Sequence, residues 1–141
     1  MKNIFLLLFL GMSAALFAQD AKENSVVQPD ARLYEVYAAD YLQRLQTKNP
    51  FLIQRWNFFL DHGFYVTDMP AGKDMTYSEI TVADVDKINI LQLEKEQNLT
   101  RDFNKRMRYR IAGTDKLLIC YSGKEFRDAL NIHLGRSHSR K

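Results

Sequence analysis

The sequence predicts an α+β fold: two N-terminal helices, a small, mainly antiparallel sheet of three to four strands, and a C-terminal helix packed on that sheet. Three observations predict it. Apolar residues recur at helical spacing between positions 32 and 62. The pattern changes to alternation between 106 and 121. An amphipathic stretch that opens on Ser122 then carries its own capping residues.

Residues 1–18 read as a secretory signal. Lys2 supplies a positive start, Ile4 to Leu10 an apolar centre, and Ala14 to Ala18 small residues, with cleavage expected after Ala18. The apolar run is shorter than the ~20 residues of a spanning helix. No cysteine stands at the cleavage region to take a lipid, and no transmembrane segment is expected once the signal is removed. Residues 19–31 are polar and aperiodic, a flexible lead-in. Residues 32–134 are then a single α+β domain, and 135–141 a basic tail.

The first helix is expected from Arg32 to Lys48, capped by Asp30, with Leu33, Tyr34, Tyr37, Tyr41, Leu42 and Leu45 at helical spacing. Asn49-Pro50 opens a second. Asn is a good N-cap, and Pro at the first helical position loses no hydrogen bond. This helix is apolar around most of its circumference and should be the most buried; Gly63 ends it. Phe64-Tyr65-Val66 reads as a short strand, 71–81 as a loop, Val82 to Asp86 as a turn, Ile88 to Glu94 as a strand, and 97–105 as a polar segment with a short helix.

From Arg106 to Ile111, Met107, Tyr109 and Ile111 alternate with three arginines, which places the guanidinium groups on one face about 7 Å apart. A three-residue connection, Gly113-Thr114-Asp115, would set Ile111, Tyr109 and Met107 opposite Leu117, Ile119 and Tyr121. A one-residue slip would put Leu117 and Ile119 beside arginines, so apolar matching favours the first register. Glu94 or Glu96 is expected near Arg106 and Arg108. Ser122 with Glu125 forms a capping box, Phe126, Ala129, Leu130, His133 and Leu134 form one stripe, and Gly135 stops the helix.

The charge is unevenly spread. Residues 19–100 hold 8 Lys and Arg against 13 Asp and Glu, whereas residues 101–141 hold 11 against 4. The halves either neutralise one another across the fold or leave a basic surface for an anionic partner. Arg106, Arg108 and Arg110 are the candidate anion or partner surface. Tyr109 faces away from them, which removes the stacking platform that a nucleic-acid partner needs.

No motif identifies a reaction, and no catalytic, cofactor-binding or metal-ligating residue is assigned. The three histidines, His62, His133 and His138, have no metal-ligand spacing. Asp61 and His62 are adjacent on a helix and point about 100° apart. Ser122-Gly123-Lys124 lacks the glycine frame of a phosphate loop. The lone Cys120 lies in an apolar strand and reads as a buried, inert thiol. The function expected is that of an exported, non-enzymatic protein of the periplasm or outer envelope of a Gram-negative bacterium. It would bind an anionic envelope component or an acidic protein surface. One alternative is a small-ligand or enzymatic pocket between the second helix and the sheet, with His62 and Tyr65 at its rim. Another is a subunit of a larger envelope assembly.

The signal ending in LFAQ, and the segments NFFLDHGFYV, KINILQLEKEQN and YSGKEF, resemble a group of small uncharacterised exported proteins of Bacteroidetes-type bacteria. The resemblance covers most of residues 32–134. It implies a location and carries no catalytic residues.

Overall fold

The computed structural model describes residues 26–72 and 76–136. The expected secretory signal and its expected cleavage point, most of the expected lead-in, and the end of the tail with His138 lie outside these residues. Among the described residues, four α-helices and a four-stranded mixed sheet make the α+β fold that the periodicity predicts.

The first expected helix is broken. Asp30 caps it as expected, its carboxylate accepting the Arg32 amide at 2.9 Å. The cap opens only a 3-10 turn, Ala31–Glu35, and the α-helix α1 starts afresh at Ala39–Lys48. An unbroken helix would turn 100° per residue and place Leu33 and Leu42 on opposite sides. Both are fully buried. The extended backbone at Ala38 (φ −65°, ψ 143°) lets both reach one core, and it lets Tyr37 stack on Trp56 at 4.4 Å between centroids.

The second helix, α2, is Pro50–His62, with the Asn49 side chain accepting the Leu52 amide. Its buried Ile53, Phe58, Phe59 and Leu60 outnumber those of any other described helix, and each fully buried side chain of this size contributes ~1.5–3 kcal/mol. Gly63 follows with an ordinary φ of −83°. Glycine is required here by space, since a Cβ would overlap the Phe59 ring and lie 2.7 Å from the Phe59 carbonyl oxygen.

Strand β1, Phe64–Asp68, forms where expected, and a three-residue strand β2, Ser78–Ile80, appears inside the expected loop. The strand expected at Ile88–Glu94 is instead a helix, α3, Ile90–Gln97. Alternation would send Ile90 to one face and Leu91 and Leu93 to the other. On a helix the three fall within one arc, and all are buried. Asn89 caps α3 by accepting the Gln92 amide, and Asn98 closes it in the left-handed conformation, φ 51°. Asn89 is also a buried anchor, because its amide nitrogen donates to the Arg32 carbonyl (2.9 Å) and to Glu35 (2.8 Å). The segment after α3 contains no helix; Asp102 accepts the amides of Asn104 and Lys105 and turns the chain there.

Strands β3, Met107–Ile111, and β4, Lys116–Cys120, form the expected antiparallel pair, and the sheet order is β1-β4-β3-β2. Strands β1 and β3 flank β4 antiparallel, while β2 adds parallel to β3. The parallel pair is joined through α3, as parallel strands require a crossover. The hairpin takes the register that apolar matching disfavours: Tyr109 lies opposite Leu118, Arg108 opposite Ile119, and Arg110 opposite Leu117. The reason is that β4 is central. Leu117, Leu118, Ile119 and Cys120 are all buried, so both faces of this strand are apolar. Leu118 and Cys120 join Tyr109, Ile111 and the helices in the main core, whereas Leu117 and Ile119 lie outside that cluster on the arginine side.

Helix α4, Gly123–His133, has the predicted capping box in full and ends before Gly135, φ 64°. Phe126 and Leu130 bury its apolar stripe.

Candidate functional site

The alternation of β3 carries its arginines to the sheet face opposite the helices, as its pattern predicts, but the structure divides them. Arg106 is committed. Its Nε and Nη2 donate to the Glu125 carboxylate at 3.0 and 2.6 Å, and its Nη1 donates to the Tyr65 hydroxyl at 3.2 Å. Its guanidinium lies 5.0 Å from the Tyr121 ring centroid and 5.9 Å from that of Tyr65. The fork around Glu125, helped by the Ser122 amide and hydroxyl, holds its carboxyl down at about 2. Arg106 therefore clips the start of β3 to the cap of α4.

Arg108 and Arg110 are different. Both are exposed, and among the described residues no hydrogen bond, ion pair or ring contact engages either guanidinium. Ile119 and Leu117 stand beside them in register, only 6 % and 2 % exposed. Arginine stems suit such a position, covering apolar surface while the charged end stays in water. Glu79 is the carboxylate in register with Arg110 across β2, and it forms no ion pair with it.

The acids expected beside this strip go elsewhere. Glu94 faces Arg101, which donates from Nη2 at 2.8 Å and brings Nε against the second oxygen without hydrogen-bond geometry. Burial raises the Glu94 carboxyl and Arg101 opposes the shift. Arg101 in turn lies 4.1 Å from the Phe59 centroid.

A groove of about 360 Å³ runs between α2, the start of β1 and α4. His62 lines it with Phe58, Asp61, Glu125 and Phe126. Tyr65 does not; it sits on the arginine side of the sheet, 5.3 Å from Tyr121. The ring of Phe58 contacts both His62 (4.4 Å) and His133 (4.7 Å). Asp61 turns from His62 to accept Arg32 at 2.7 Å, so the two neighbours form no acid–base pair. Both groove carboxylates are held by arginines, so among the described residues no carboxylate orients His62 for proton transfer.

Cys120 is 1 % exposed, and burial followed by the nearby Glu94 carboxylate pushes its thiol up to about 12. The Ser122 hydroxyl is occupied by its capping box. Among the described residues no cluster of His, Cys, Asp and Glu could hold a metal ion, and no helix is long and apolar enough to cross a membrane. Comparison with protein-family models, curated proteins and solved structures finds no match.

Proposed function

We propose that this is an exported cell-envelope protein that works by binding, docking an anionic envelope component or an acidic protein surface on the sheet face that presents Arg108 and Arg110. One observation carries the reading. Arg32, Arg44, Arg101, Arg106 and Arg127 each pair with a carboxylate, whereas among the described residues Arg108 and Arg110, two neighbours on one face of one strand, have none, a lack they share with the more distant Arg55. Two cations that leave one strand about 7 Å apart suit a surface that repeats its negative charge. The secretory signal expected from residues 1–18 and the basic final third of the chain support the location and the sign of the partner.

The test is co-sedimentation of the purified protein with isolated Gram-negative envelopes. Retention should fall as salt rises, because exposed charges are screened over ~8 Å at physiological ionic strength. Arg108→Glu with Arg110→Glu should abolish it while the melting temperature stays put. Unchanged retention of that variant would rule the face out.

A further inference from the structure

Another pocket, of about 330 Å³, shares Tyr121 and Phe126 with the lining of the His62 groove. Its walls include four aromatic rings brought from four segments: Phe59 on α2, Phe103 in the loop after α3, Tyr121 after β4, and Phe126 on α4. Each ring carries a guanidinium within cation–π range. Arg101 lies 4.1 Å from the Phe59 centroid, Arg106 5.0 Å from Tyr121, Arg127 5.2 Å from Phe103, and Arg55 5.9 Å from Phe126. Three of these arginines have carboxylate partners, in Glu94, Glu125 and Asp128. Arg55, in the lining itself, has no hydrogen bond or ion pair among the described residues.

We propose that this pocket binds a small acidic molecule with an aromatic body, its acid on Arg55 and its ring against the exposed Phe103. The volume is at the lower end for ligand pockets, which suits a single ring. Phe103 is 52 % exposed at the mouth, an apolar surface that a bound ring would cover. Gly123 permits that placement, since a Cβ there would come within 3.0 Å of the Phe103 ring. The acidic lining residue, Asp102, directs one carboxylate oxygen to the amides of Asn104 and Lys105. The first α4 amides are already used, Gly123 donating to the Asp102 carbonyl and Lys124 to that of Phe103. Recognition of the acid therefore falls to side-chain guanidinium. This site is separate from the Arg108–Arg110 face and stands or falls independently of it.

The test is an amide NMR titration of the purified protein with phenyl phosphate, with inorganic phosphate and benzyl alcohol as the two half-ligands. Phenyl phosphate should move the Phe103 and Gly123 amides and saturate below either half. Arg55→Gln, on the exposed side of α2, should keep the spectrum of a folded protein and weaken binding about tenfold or more, the worth of a charge-assisted hydrogen bond. Phe103→Ala should weaken it as well. Binding that Arg55→Gln leaves intact, shifts centred on β3, or no saturable shift with phenyl phosphate would each overturn the proposal.

Discussion

Gly63→Ala is the substitution whose outcome follows most directly from the packing. The backbone there is ordinary, so alanine alone would stabilise the protein by ~0.5–1 kcal/mol through a less flexible unfolded chain. Space reverses the sign. The new methyl would overlap the Phe59 ring and lie 2.7 Å from its carbonyl oxygen. The ring has little freedom to yield, since it is 2 % exposed, edge-on to Phe126 at 5.1 Å, and covered by Arg101 at 4.1 Å. Overpacking of this kind costs ~1–3 kcal/mol, and the middle of that range, about 2 kcal/mol, leaves a net loss of about 1–1.5 kcal/mol. At roughly 4 °C per kcal/mol for a domain of this size, the melting temperature should fall by ~4–6 °C. Thermal denaturation followed by circular dichroism reads this directly. In a Phe59→Leu background the penalty should shrink, because the two sites are in contact. A melting temperature that is unchanged or raised by Gly63→Ala would show that Phe59 does not occupy the space beneath α2's end.

Other outcomes follow from single contacts. Asn89→Ala removes a helix cap and the two hydrogen bonds that a buried amide donates to the Arg32 carbonyl and to Glu35, so urea denaturation should show a loss of ~2–3 kcal/mol. Glu125 has a depressed folded pKa, about 2 against an ordinary 4.5. Its contribution is fully present above pH 4.5 and is lost as pH falls towards 2. The pair is 39–40 % exposed and screened, so the loss should be no more than about 1 kcal/mol, and Glu125→Gln should flatten the stability profile over that window. Cys120 should resist thiol reagents at pH 8 in the folded protein and react at once in urea; prompt reaction without urea would contradict its burial.

The parts of this fold that could be read from the chain are those specified locally. Asn49-Pro50 and Gly63 delimit α2, Ser122 and Glu125 open α4, and the arginines of β3 mark its solvent face. The misreadings arose where local patterns are ambiguous. Ile90, Leu91 and Leu93 fit a two-sided strand as well as a helical arc, and the discriminating signal was Asn89 as a cap ahead of Glu94, Lys95 and Glu96, which favour helix. Apolar alternation failed to set the hairpin register because β4 is central and apolar on both faces, so a slip of one residue exposes nothing. Strand β2 is three residues on a sheet edge, and its parallel pairing depends on a distant crossover. The candidate surface was legible as a row of arginines. That Arg106 belongs to Glu125 was not, because their meeting depends on how α4 follows β4. The pocket under Arg55 draws its rings from four separate segments and has no linear signature.

The proposal rests on a division of labour along one run of arginines: Arg106, just before β3, clips the sheet to the start of α4, while Arg108 and Arg110 are proposed to face a partner. The most direct measurement compares Arg106→Gln, Arg108→Gln and Arg110→Gln in parallel for melting temperature and for retention on isolated envelopes. The division predicts that Arg106→Gln lowers the melting temperature with retention kept below its melting point. It predicts that the other two lose retention with unchanged melting temperatures. Equal retention by all three variants, or a loss confined to Arg106→Gln, would contradict it.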